Sequence, residues 1–181
     1  MSIVKEPKEL LLKSIEENKE LYVQVSQEIH NNPEIGNQEF FASAKHVKLL
    51  RDAGFEVTTS VAGHETSFYA IKKGVKEGPT VAYLAEYDAL HGLGHACGHN
   101  IIGTTSVAAG IALAEALPLT GGNVAGSYFV ETRSTGQGKS RWMLKRLILM
   151  CSPYIWDFKN KCYIENPNNP EGRNIGTYLQ T

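Results

Sequence analysis

Glu86-Tyr87-Asp88-Ala89-Leu90-His91-Gly92-Leu93-Gly94-His95-Ala96-Cys97-Gly98-His99-Asn100 is the stretch on which the reading of this chain turns. It sets a carboxylate pair, three imidazoles and a thiol within fifteen residues. Immediately before it, Pro79 to Ala85 is an apolar run that reads as a buried strand. Immediately after it, Ile101 to Leu117 reads as a helix. A Gly-rich loop carrying metal-capable side chains at the carboxyl end of a strand is where α/β sheets place their chemistry. The expected fold class is therefore α/β, a mixed sheet flanked by helices.

The pattern extends N-terminally. Pro7 to Asn31 is helical in period, with Leu10, Leu11, Ile15, Leu21, Tyr22, Val25 and Ile29 at roughly helical spacing, and Asn31-Asn32-Pro33 ends it. Asn37 to Ala53 predicts a second helix that buries Phe40, Phe41, Ala44, Val47 and Leu50, with Gly54 at its C-terminal cap. Phe55–Val61, Thr66–Ile71 and Thr80–Leu84 are strand candidates. The small residues Gly103, Ala108, Ala109, Gly110, Ala112, Ala114 and Ala116 predict a close helix–sheet contact for the motif helix. Asn100 is placed to cap that helix, and Pro118 to Gly122 reads as a turn. Another strand is expected near Asn123–Val130. Beyond Gly126 the pattern loses its period: Arg and Lys cluster between Arg133 and Arg146, Asn and Pro between Asn160 and Asn174, and Leu144–Met150 is a short apolar run of undetermined type. Residues 1–126 form the coherent part; residues 127–181 are an atypical tail, read either as disordered or as translated out of frame.

Composition narrows the function classes. The chain has 181 residues, 42% hydrophobic and 20% charged, the balance of an ordinary globular domain. A net charge of −1 gives no electrostatic case for nucleic acid or an anionic membrane. No uninterrupted apolar run of about 18 residues predicts a membrane span, and the first residues lack a signal-peptide core. Three widely spaced cysteines, Cys97, Cys151 and Cys162, form no disulfide framework, so a reducing cytoplasm is expected.

Within the loop, Cys97 and His99 stand two residues apart around Gly98. A Cys-x-His pair on such a turn can aim a thiolate and an imidazole at one divalent ion, for which both are preferred ligands. An Asp near a metal-bound His commonly accepts its other ring N–H, and Asp88 and Glu86 sit at the strand end. Other readings stay open on spacing alone. Cys97 can be a small core residue, His99 a merely hydrogen-bonded one, or Cys97 a nucleophile with His95 or His99 as its base. Zinc wants three or four protein ligands, and two are in hand.

Ala85-Glu86-Tyr87-Asp88-Ala89-Leu90, followed by Gly94-His95-Ala96-Cys97-Gly98-His99-Asn100, resembles the signature of the metal-dependent aminoacylase and carboxypeptidase superfamily of zinc peptidases. The resemblance is to its amidohydrolase branch, which includes p-aminobenzoyl-glutamate hydrolases and β-alanyl-lysine-type dipeptidases. His30-Asn31-Asn32-Pro33-Glu34-Ile35-Gly36 with Glu39, Ala53-Gly54-Phe55-Glu56-Val57, Gly63-x-Glu65-Thr66-x-Phe68 and Gly78-Pro79-Thr80-Val81 extend the likeness over residues 20–125. His91 departs from it, standing where the branch usually has Pro, and is read as neutral.

The resemblance implies the first half of a catalytic domain with a two-metal site, zinc or manganese. Its activity would be hydrolysis of an amide bond in an N-acyl amino acid, dipeptide or aminobenzoyl-glutamate-like substrate. It implies Cys97 and His99 as metal ligands, Asp88 as the catalytic-site carboxylate, and Glu86 and His95 as supporting groups around them. Family members are homodimers, but the lid and dimerisation domain has no counterpart here. The family's general base lies in a Glu-Glu pair after the motif helix; here Glu131 is alone, and no histidine follows His99. The alternative class is a non-catalytic metal-binding fragment or one half of a split enzyme.

Overall fold

The structure is a computed structural model that describes residues 6–61, 64–128, 154–157 and 162–165. Helix α1, Pro7–Asn31, begins with Pro at its first turn, where the missing N–H costs nothing. It ends as expected before Pro33, with the Asn32 N–H returned to the Ile29 carbonyl. Tyr22, Val25 and Ile29 form its buried face, whereas Ile15 and Leu21 are exposed.

Helix α2, Phe40–Asp52, starts three residues later than the sequence period suggested. Asn37 adopts a positive φ of 68°, which breaks the helix there. The cap comes from a distance. The Glu34 carboxylate accepts the N–H groups of Phe41 at 2.9 Å and Ala42 at 3.0 Å, two of the donors a helix start leaves unpaired. Glu34→Ala is expected to cost about 1–2 kcal/mol, as loss of an N-cap does, read from the urea midpoint. The buried face of α2 is also rotated from expectation. Ala42, Ser43, His46, Val47, Leu49 and Leu50 point inward, and Phe40 and Ala44 point out. A buried histidine on the inner face is what displaced the simple apolar reading.

Strands β1 (Glu56–Thr59), β2 (Phe68–Lys73), β3 (Thr80–Ala85) and β4 (Asn123–Tyr128) form one mixed sheet in the order β1-β2-β4-β3. The β1/β2 and β2/β4 pairs are antiparallel; β3/β4 is parallel. The parallel pair needs a crossover, and helix α3, His99–Thr120, supplies it. Thus the expected helical pair, mixed sheet and packed motif helix are all present. Helix α3 is longer than anticipated and runs through Pro118, which sits in the last turn and forfeits a single intrahelical bond. Gly121 then closes the helix onto the Leu117 carbonyl.

Gly103 carries the small-residue argument. A Cβ there would meet His46 Cε1 at 2.7 Å and the Glu86 carbonyl oxygen at 2.9 Å. Only glycine lets α3 approach α2 and the strand end so closely. Helix α3 is apolar and long enough to cross a membrane by length and composition, but 56% of its apolar window is buried in the fold, as in a core helix. The core joins Tyr22, Val25 and Ile29 to Leu50, Phe55, Phe68, Tyr87, Val107, Ile111 and Val124.

Strands β5 (Tyr154–Asp157) and β6 (Cys162–Glu165) pair as an antiparallel ladder, a separate unit. The apolar run Leu144–Met150 and the basic cluster Arg133–Arg146 lie outside the described residues.

Candidate metal centre

Strand β3 delivers the loop. Ala85 is its last residue, and Glu86, Tyr87 and Asp88 follow at the carboxyl end of the sheet. In the parallel register Ala85 pairs with Tyr128, so the chain leaves β4 at the same edge. Glu131, a short way beyond β4, lies outside the described residues.

The loop then folds on itself. Leu90 and Gly94 exchange two backbone hydrogen bonds, 2.8 and 3.0 Å, around a tight turn. Gly98, at φ 78°, takes the left-handed conformation and caps α3 from its N-cap position; a side chain there would be strained. Asn100 does not cap the helix, contrary to the sequence expectation. It lies inside the first turn, and its amide donates to the Ser26 carbonyl (3.2 Å) and hydroxyl (3.1 Å), tying α3 to α1.

His99 is the focus. Its Nδ1 lies 2.7 Å from Asp88 Oδ1, and its Nε2 lies 3.1 Å from Glu86 Oε2. Asp88 is buried, 3% exposed, so its carboxylate can accept the Nδ1–H and fix the ring's orientation. That leaves Nε2 as the nitrogen available to a cation, on the side where Glu86 lies. Both carboxylates also complement the positive N-terminal end of α3. Cys97 is a free, exposed thiol on the turn before the helix, which removes the reading of it as a core residue.

His95 takes a different place. It is buried against α1, its ring centroid 6.2 Å from that of His30, and neither ring nitrogen has a hydrogen-bond partner. Burial holds its pKa below the usual histidine range, and the nearby His30 and His99 rings lower it further. His91 is exposed.

Thiol, imidazole and carboxylates are the donor set of a divalent-metal site. The fit is partial: among the described residues no three His, Cys, Asp or Glu side chains converge to hold an ion.

Behind the loop lies a buried polar layer. Glu39, fully buried, accepts the Asn37 N–H at 2.8 Å and the Thr66 hydroxyl at 2.7 Å. Its pKa is pushed up to about 7, first by burial and also by the nearby Asp88 charge. His46, fully buried, has its pKa pushed down to about 3 by burial. The signs of the two are opposite. Glu39 holds its proton better folded than unfolded, so its contribution to stability is full below pH 4.5 and lost as pH rises to about 7. His46 resists protonation when folded, so its contribution is full above pH 6.5 and lost as pH falls toward 3. Between pH 4.5 and 6.5 the two slopes oppose each other. Glu39→Gln removes one of them, so the variant should gain on the parent by roughly 3 kcal/mol as pH rises from 4.5 to 7, at about 1.4 kcal/mol per unit. Paired urea melts across that range check it; a difference that does not change with pH would refute it.

Glu34 and Glu39 stand in the early motif stretch, yet the sequence assigns neither of them a role. Nothing in the period distinguishes them from surface acids.

No family model matches the chain. It is 32% identical over 145 residues to a p-aminobenzoyl-glutamate hydrolase polypeptide of Escherichia coli K12, an alignment covering 70% of this chain and 30% of that protein. A 37-residue stretch is 62% identical to mouse Xaa-Arg dipeptidase, covering 20% of this chain and 9% of the dipeptidase. Among solved structures, a dinuclear metal-binding peptidase of the M20 family from Bacillus subtilis superposes with a TM-score of 0.51 at 24% identity. That superposition covers 59% of this chain and 33% of the peptidase, and speaks to the fold. The chain thus spans under a third of the length of the curated relatives it matches. The resemblance carried by the His-Ala-Cys-Gly-His loop holds: over its N-terminal part this chain is related to the metal-dependent aminoacylase and carboxypeptidase superfamily, on its amidohydrolase side.

Proposed function

We propose that this chain supplies the N-terminal half of a catalytic domain for metal-dependent amide hydrolysis, acting on an N-acyl amino acid, dipeptide or aminobenzoyl-glutamate-like substrate. The observation that carries the reading is the Asp88–His99 pairing at 2.7 Å beside a Cys-Gly-His turn at a strand end. Cys97 and His99 hold a divalent metal, zinc or manganese. Asp88 orients the His99 ring through Nδ1, and Glu86 lies beside Nε2, where its charge would favour a cation. When bound, such a metal lowers the pKa of water and polarises an amide carbonyl. Residues 1–126 carry this role, and residues 127–181 lie outside it. The compartment is cytoplasmic, and the substrate is a small molecule rather than nucleic acid or membrane.

The incomplete donor set favours a second reading, a metal-binding fragment that pairs with a separate polypeptide carrying the remaining ligands. Cobalt titration of the purified chain tests the shared core of both. A thiolate-to-cobalt absorption band should appear and vanish in Cys97→Ser. Asp88→Asn should weaken metal affinity about 10–100-fold, the usual cost of losing such an orienting carboxylate. A chain that shows no band, and whose stability is the same with and without metal, would overturn the assignment. Resistance to chelators combined with inactivation by thiol alkylation would point to Cys97 as a nucleophile instead.

A further inference from the structure

The residues on either side of Asp88 are both tied to one segment of chain, Glu34–Glu39. On one side, the Ala89 N–H donates to the Glu34 carbonyl at 2.7 Å, and Ile35 and Ala89 form a parallel bridge. On the other, the Tyr87 hydroxyl donates to the Thr66 carbonyl at 2.6 Å, and the Thr66 hydroxyl donates to the Glu39 carboxylate at 2.7 Å. Tyr87, Thr66 and Glu39 are all at most 2% exposed, so these bonds are made away from water and are costly to leave unmade. Asp88 therefore projects toward His99 from a three-residue stretch clamped at both ends. Glu39 also accepts the Asn37 N–H, so one carboxyl fixes the turn of the clamp and its far anchor together.

We infer that Glu39 is a positioning residue: through Thr66 and the Tyr87 hydroxyl it sets the strand-end backbone from which Asp88 holds the His99 ring. The effect of Glu39 on His99 is relayed through Thr66, Tyr87 and Asp88. The inference rests on the proposed role of the Asp88–His99 pair, but its geometry can be read in the metal-free chain, apart from whether metal binds.

The test is the exchange of the His99 Nδ1–H with solvent, followed by NMR in the metal-free protein and corrected for global opening with a core amide such as that of Val107. Tyr87→Phe and Thr66→Val each remove one hydroxyl of the relay while keeping the side-chain shape, and Glu39→Leu removes the carboxyl. Each should speed exchange by about tenfold or more, the local protection carried by one buried hydrogen bond. Glu39→Gln, which can accept from Asn37 and donate to Thr66, should restore near-parent exchange. Leu117→Ala thins the core at the far end of α3, away from both ends of the clamp, so it lowers stability and leaves His99 exchange unchanged. If Glu39→Leu does not fold, the two hydroxyl variants decide. Parent-like exchange in Tyr87→Phe and Thr66→Val, or an equal effect from Leu117→Ala, would overturn the inference. Cobalt binding, measured on the same samples, reports on the metal assignment separately.

Discussion

Turnover of an aminobenzoyl-glutamate or dipeptide substrate by a polypeptide of these 181 residues, supplied with zinc or manganese, is expected to fall about 10²–10⁴-fold or more below that of a full-length relative. That factor is what a positioned general base contributes. Two lines set the expectation. The last histidine of the sequence is His99, and Glu131 stands alone, followed by Thr132-Arg133, where the resemblance leads one to expect paired glutamates. In the fold, His99 meets Asp88 and Glu86, but no three donors among the described residues are set around an ion. With Cys97 and His99 as the ligands proposed for residues 1–126, the metal is held weakly, because a closed zinc shell takes three or four. The measurement is a metal-supplemented amidase assay of the purified chain beside the Escherichia coli relative, with and without chelator. Robust chelator-sensitive turnover by the chain alone would refute the expectation. Activity that returns when a polypeptide carrying the remaining two thirds is added would support the split reading.

Tyr87→Ala is expected to be the most damaging single change to stability. Tyr87 is fully buried between the two acidic residues of the site. Its ring stacks on Phe68 at 6.0 Å and meets His46 edge-on at 5.4 Å, a pairing worth more than its buried area alone. Its hydroxyl supplies the hydrogen bond to Thr66. Truncation removes the ring, leaves a cavity under the strand end and strands the Thr66 carbonyl. Large aromatic truncations cost about 3–5 kcal/mol, a large share of the roughly 5–15 kcal/mol that holds a domain together. Tyr87→Phe keeps the ring and loses only the hydroxyl, so it should cost about 1–3 kcal/mol. Urea denaturation of both variants separates the terms. Near-equal losses would mean that the ring packing contributes little and the hydroxyl nearly everything.

Much of this architecture was legible in residues alone. The helical period of Pro7–Asn31, the apolar run before Glu86 and the small-residue helix after Gly98 specified an α/β unit, because local period and glycine placement are short-range properties. The expected burial of that run was wrong, because β3 lies at the edge of the described sheet and leaves Val81 and Leu84 exposed. The candidate donors of the loop were legible because they are local too: Cys97, Gly98 and His99 are consecutive, and a turn of this kind needs no distant partner to be recognised. What the sequence could not decide were contacts between segments far apart in the chain. Asn100 looks like a cap and instead binds Ser26, 74 residues away. Helix α2 takes its cap from Glu34 rather than from its own first residues, so its start and its inner face both moved. His46 and Glu39 look like surface residues by type, yet both are fully buried, and only the close passage of α3 at Gly103 and the hydroxyl of Thr66 explain how. The sequence by itself determined the elements and the donor set of the loop, since both follow from neighbouring residues. The tertiary structure decided which nitrogen of His99 faces Asp88 and which buried groups hold that strand end, since burial and long-range hydrogen bonds exist only once the chain has closed on itself.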